Sequence, residues 1–199
     1  MQTFATTAPI AAVLDIPAGR VRLIATDRSD TAVEVLPADA AKGRDVKAAE
    51  KTRVEFTDGV LRIKADEGGK LLGPSGSVEI TVQLPAGSNV EAAVASAEFR
   101  GVGRLGDITL DAAQSDVKID EAARLAVTTQ AGDVTVGRLT GSAEISTQKG
   151  DITVATALSA SLDAGTTYGR IHNSLKNDGG TELHIKATTA YGDITARGL

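Results

Sequence analysis

Four stretches of the chain share one motif: Ala131-Gly132-Asp133-Val134-Thr135-Val136, Lys149-Gly150-Asp151-Ile152-Thr153-Val154, Tyr168-Gly169-Arg170-Ile171-His172-Asn173 and Tyr191-Gly192-Asp193-Ile194-Thr195-Ala196. A degenerate copy, Gln114-Ser115-Asp116-Val117-Lys118-Ile119, precedes them. Successive Gly (or Ser) positions lie 17, 18, 19 and 23 residues apart. A motif recurring at this spacing marks an array whose units cannot bury an apolar face alone and therefore stack. Upstream of each Gly the alignment continues. Thr129, Thr147, Thr166 and Thr189 stand three residues before it, Val127, Ile145, Ala164 and Ala187 five before, and Leu125, Ala143, Leu162 and Ile185 seven before. Apolar residues at every second position describe a strand with one buried face. After the Gly, Val134/Val136, Ile152/Val154 and Ile194/Ala196 alternate in the same way. Each unit therefore carries two short strands hinged at Gly-Asp.

The fold class predicted is all-β: a parallel β-helix, or β-solenoid, of about five or six coils in the C-terminal half. Coils are expected at about 90–105, 106–122, 123–140, 141–158, 159–179 and 180–197, stacked in chain order. Like residues then lie on like at the ~4.8 Å strand spacing. Composition agrees. The chain has 199 residues, 42% of them hydrophobic, with 21 Gly, three Phe, two Tyr and no Trp. Such a core is narrow and built of Ala, Val, Ile and Leu.

Residues 1–89 read as an irregular β-rich region capping the solenoid, and 90–199 as the repeats, a division compatible with one continuous domain. Strands are expected at 10–16, 20–26, 31–36, 53–57, 60–65 and 77–84. Asp58-Gly59 is a hairpin signal between two alternating runs. Ile16-Pro17-Ala18-Gly19 and Leu84-Pro85-Ala86-Gly87 echo one another, which suggests a worn version of the same repeat. One helix is expected within 38–51, with Val46 and Ala49 inward. Residues 68–76 read as a loop.

These residues resemble a bacterial β-strand-repeat family labelled "putative adhesin", a family of unassigned function related to single-stranded β-helix domains. The resemblance rests on the Gly-Asp-(Ile/Val)-Thr units, the opening Leu14-Asp15-Ile16-Pro17-Ala18-Gly19 and the closing Ala190-Tyr191-Gly192-Asp193-Ile194-Thr195. It implies the solenoid architecture and a role at the cell surface, and it brings no catalytic motif.

Several function classes are disfavoured directly. A net charge of −5 gives no basic field for nucleic acid. No run approaches the ~18 apolar residues of a membrane span. The N-terminal stretch has no basic start followed by an apolar run, so the expectation from sequence is a cytoplasmic protein. Without Cys, thiolate metal sites and Cys nucleophiles are absent. His172 and His184 lack partners at metal-ligand spacing. Glu144 and Asp163, acids inside repeat strands away from turns, are read as out of register, which argues against a paired-carboxylate hydrolase. The expectation is therefore no enzyme, no cofactor and no metal.

Interaction candidates remain. Asp116, Asp133, Asp151 and Asp193 form an acidic column interrupted by Arg170. An acidic edge could hold Ca²⁺ or carbohydrate, but Asp in such turns ordinarily bonds its own turn backbone. Tyr168 and Tyr191 precede equivalent glycines and read as an aromatic ladder or a sugar platform. Phe99 reads as a core anchor. Lys42, Arg44, Lys47 and Lys51 read as a solvated helix face. The function expected is a non-enzymatic scaffold docking a protein partner or self-associating as a homo-oligomer through faces or ends. A carbohydrate- or surface-binding module is the alternative, and a polysaccharide-acting β-helix enzyme a remote third.

Overall fold

The computed structural model describes residues 1–65, 76–179 and 183–199. It is all-β with one short helix, and its strands form a single unclosed 15-stranded sheet. In chain order these are β1 (Gln2–Ala5), β2 (Ala11–Thr26), β3 (Asp30–Pro37), α1 (Gly43–Lys51), β4 (Arg53–Thr57), β5 (Val60–Lys64), β6 (Val78–Pro85), β7 (Asn89–Gln114), β8 (Val117–Ala131), β9 (Val134–Leu139), β10 (Ala143–Lys149), β11 (Ile152–Thr156), β12 (Ala160–Tyr168), β13 (Ile171–Ser174), β14 (Leu183–Tyr191) and β15 (Ile194–Gly198).

The long strands bend at corners and so contribute to two arms of the sheet. β7 winds past its own start, where the Asp107 amide donates to Asn89 Oδ1 at 2.9 Å. Neighbouring repeat units pair in parallel, as the aligned sequence requires. Thr129 faces Thr147, Thr147 faces Thr189, and Thr189 faces Thr166. Past the corner one apolar column runs Ile80, Val21, Phe99, Val117, Val134, Ile152, Ile194, Ile171. Every member except the last is at most 2% exposed. Phe99 is the one aromatic among the fully buried side chains. Burying each such aliphatic side chain is worth roughly 1.5–3 kcal/mol, so the column is a main source of cohesion between units.

The order of units in space differs from their order in the chain. β14 lies between β10 and β12, and β15 lies between β11 and β13. The unit at 183–198 is thus intercalated between 143–156 and 160–174, and β12 with β13 forms the outermost layer. The sequential coils 141–158, 159–179 and 180–197 are corrected accordingly. The same inversion occurs at the opposite end. β2 lies between β7 on one side and β5 and β6 on the other. Beyond β5 and β6 the pairing turns antiparallel, through β4 on one arm and β3 then β1 on the other. Phe4 and Phe56, from β1 and β4, pack there with ring centroids 5.2 Å apart.

Local chemistry explains the turns. Asp58 (φ 52°) and Gly59 (φ 76°) both adopt the left-handed conformation of a two-residue hairpin, joining β4 to β5. At the repeated corner Gly150 has φ 147°, and a Cβ there would lie 2.1 Å from the Gly132 carbonyl oxygen. Glycine is needed both for the backbone angle and for the closeness of successive corners.

The helix is shorter than the sequence suggests. Asp39 accepts from the Ala41 amide at 3.0 Å, and this local turn keeps 39–42 outside it. Its buried residues are Asp45 and Ala48; Ala49 is half-buried and packs against the core, as expected, while Val46 is only half-buried. Asp45 is buried because its carboxylate accepts from the Ser77 amide at 3.0 Å, at the approach to β6. Of the expected 68–76 loop, all but Gly76 falls outside the described residues.

Candidate interaction surface

The acidic column is an inter-unit ladder. The Asp133 amide donates to Asp116 at 3.1 Å, Asp151 to Asp133 at 2.8 Å, Asp193 to Asp151 at 2.7 Å, and Arg170 to Asp193 at 2.8 Å. The expectation that each Asp bonds its own turn is therefore corrected: each carboxylate serves the turn of the neighbouring unit. A carboxylate acceptor makes these charge-assisted bonds. The intercalated order keeps the ladder unbroken. Arg170 ends it, donating its amide to the Asp193 carboxylate while its guanidinium lies 4.0 Å from the same carboxylate. No cluster of three or more metal-ligating side chains occurs among the described residues.

The threonine column is internal to the corner. Thr129, Thr166 and Thr189 donate to the carbonyls of Ala131, Gly192 and Gly150 at 3.0–3.1 Å. The buried Thr147 hydroxyl lacks a partner among the described residues.

Glu144 and Asp163 are in matching register, contrary to the sequence reading. Both align with Lys186, which stands between them on the central strand. Lys186 Nζ lies 2.9 Å from Glu144 Oε1. That hydrogen bond first, and the charges of Glu144 and Asp163 with it, hold the ammonium above its usual range. The rung is solvent-exposed and sets one ammonium between two carboxylates. A second three-member rung crosses the sheet at Glu79, Arg20 and Glu98, with contacts of 2.6 and 2.9 Å.

The histidines do not converge. His184 Nδ1 meets Ser161 Oγ of the adjacent strand at 2.8 Å, and His172 is exposed on β13. On the helix, Lys42 pairs with Asp39 at 3.2 Å and Arg44 with Asp45 at 3.6 Å.

Two features remain available to a partner. Tyr168 and Tyr191 stack with centroids 5.0 Å apart and planes 7° from parallel, yet are 64% and 58% exposed. They stand beside a shallow trough on the outer face, lined by Gln114, Gln130, Gln148, Lys149 and Tyr191. The other is the outermost layer itself. There Ile171 is 46% exposed, while Leu162 and Ala164, members of otherwise buried columns, are only partly covered. The sequence marked the tyrosines, but missed Lys186 and the exposure of Ile171, because both depend on the order of the units.

Among solved structures, a "putative cell adhesion protein" from Clostridium sporogenes superimposes with a TM-score of 0.50 at 11% identity, covering 100% of this chain and 98% of that one. A "putative adhesin" from Bacteroides fragilis gives 0.45 at 11% identity, with 100% and 95% covered. A "putative lipid binding protein" from Parabacteroides distasonis gives 0.35 at 12% identity, with 98% and 95% covered. The first of these likenesses extends to the fold. No curated protein matches the chain. The family model described as Toastrack DUF4097 matches residues 75–198, which span the repeated corners and both intercalated strands, and the chain belongs to that family.

Proposed function

We propose that this protein is a non-enzymatic β-solenoid scaffold of about five or six coils that docks a protein partner or a second copy through its sheet faces or its open end. The observation that carries this reading is the fate of the reactive side chains. The Asp column is engaged in bonding one unit to the next, and Glu144 is ion-paired with Lys186. What remains for recognition is extended surface. The neighbours described as adhesins support a binding role and not an enzymatic one.

The test is crosslinking of the native protein in its own cells, followed by mass spectrometry, alongside light scattering over a range of concentrations. A scaffold yields one or a few proteins, or a second copy, joined reproducibly through face or end residues. A strict monomer at high concentration, with no crosslinked protein, refutes the reading.

The stacked, exposed Tyr168 and Tyr191 beside an amide-lined trough favour a second reading, a carbohydrate-binding module. Aromatic rings and amide side chains suit the apolar and polar faces of a sugar. Glycan-array binding lost in Tyr168→Ala supports it, and a clean negative array sinks it.

A further inference from the structure

We propose that the layer formed by β12 and β13 is a strand-addition site for an extended segment of a partner protein, laid parallel to residues 164–174 and carrying an aromatic or apolar residue, a glycine, an acid and an aliphatic residue in that order. This rests on the scaffold reading and gives it a surface and a partner chemistry.

Four observations define the occupant. The first is backbone. Between neighbouring units the residue after the corner donates its amide onward: Val117 to Asp133, Val134 to Asp151, Ile152 to Asp193 and Ile194 to Arg170, all at 2.8–2.9 Å. Ile171 is next in this series, and among the described residues β13 pairs with β15 alone and β12 with β14 alone, the open edge beginning beyond Ala160, whose amide donates to the Lys176 carbonyl at 3.0 Å. Such an edge is a template for another strand. The second is apolar. Ile171 is 46% exposed where its column mates Val134, Ile152 and Ile194 are at most 1% exposed, so an aliphatic side chain completes the column. The third is charge. Arg170 replaces the column's Asp, and its side chain is 92% exposed. The next position in the column therefore favours an acid, as Arg20 in the same column is flanked by Glu79 and Glu98. The fourth is steric and aromatic. Each corner glycine sits so that a Cβ would lie 1.9–2.1 Å from the preceding corner's carbonyl oxygen, as at Gly132, Gly150, Gly192 and Gly169. A strand added beyond Gly169 meets the same constraint and needs glycine there. Tyr168, already stacked on Tyr191 through one face, offers its surface to the residue before that glycine.

The required pattern is the one the chain itself places on the inner side of this layer, Tyr191-Gly192-Asp193-Ile194. A soluble peptide copying residues 187–197 is therefore the probe. Titrated into the ¹⁵N-labelled full chain, it is expected to shift amides of 164–174 saturably and to leave those of 11–26 unmoved. A peptide with lysine in place of its aspartate should bind about fivefold more weakly, the size of one exposed ion pair. In Arg170→Asp the preference between the two peptides should reverse, and in Arg170→Gln it should vanish. Arg170 is almost wholly exposed, so the amide spectrum should show both variants folded. Absence of saturable shifts, shifts centred elsewhere, or a preference indifferent to residue 170 would overturn the proposal. If crosslinked partners persist unchanged in Arg170→Asp while the peptide fails, this site is wrong and the scaffold reading stands. If no partner is found but the peptide behaves as expected, the reverse holds.

Discussion

Replacing Ile194 and Ile171 separately by alanine tests the order of the stack. Both occupy the same column, at equivalent positions of the same motif. Ile194 is 1% exposed and lies between Ile152 and Ile171, whereas Ile171 is 46% exposed with a neighbour on one side. A buried Ile→Ala substitution loses the transfer free energy of the removed carbons and leaves a cavity, about 3 kcal/mol within the usual range. At Ile171 about half of the side chain is already in water and no closed cavity forms, so the cost should be about 1 kcal/mol. For a chain of this size each kcal/mol moves Tm by about 2–4 °C, giving losses of about 9 °C and about 3 °C. Calorimetry and urea titration measure both. Hydrogen exchange provides a readout that does not assume two-state unfolding: amides of 160–174 should exchange faster than those of 183–198, against their order in the chain. Sequential stacking makes Ile194 terminal and Ile171 internal. An Ile171→Ala cost equal to or larger than that of Ile194→Ala refutes the intercalated order.

Further consequences are equally direct. Gly150→Ala combines an unfavourable φ with a Cβ 2.1 Å from the Gly132 oxygen, and should destabilise by about 3 kcal/mol or more, while Gly43→Ala, with open space around it, should be near neutral by the same melting assay. Lys186→Glu places three acids along one rung, and should lower Tm by an amount that shrinks as salt is added; a salt-independent loss contradicts the rung. The Arg28 hydrogen bond lowers the Asp30 pKa below its ordinary 3.8. This carboxylate's contribution to stability is thus fully present above the ordinary value and lost as pH falls through the lower folded value. Carbon-detected NMR titration should find Asp30 titrating below a typical exposed Asp, and Arg28→Gln should return it.

The register of the repeat was legible because two strong constraints agree on it. Glycine is demanded by the corner, and alternation fixes which residues face inward, so Thr129, Thr147, Thr166 and Thr189 fall on one line. The order of the units was hidden because columns of like residues are nearly degenerate. Ile152 packs against Ile194 or Ile171 at similar energy. Charges break the degeneracy. Sequential stacking sets Glu144 beside Asp163 and interrupts the Asp column at Arg170. Intercalation puts Lys186 between the two acids and Arg170 at the end. The long interval of 23 residues between the last two glycines supplies the chain needed to step back inward. The inward face of the helix escaped sequence reading for a different reason. Burial of Asp45 depends on the Ser77 amide, 32 residues away, and no periodicity reports a partner at that distance.

The intercalation of 183–198 also sets a timetable. On a chain synthesised from its N-terminus, residues 160–174 emerge before the strands on which they rest. Ile171 and Leu162 have no seat until Ile194 and Ile185 have arrived and paired with Ile152 and Ala143. From residue 89 to residue 156 the units stack in chain order, but the next unit then waits outside while the one after it is threaded in. The outermost layer is the last to be laid down and, held on one side only, the first that can be lifted off.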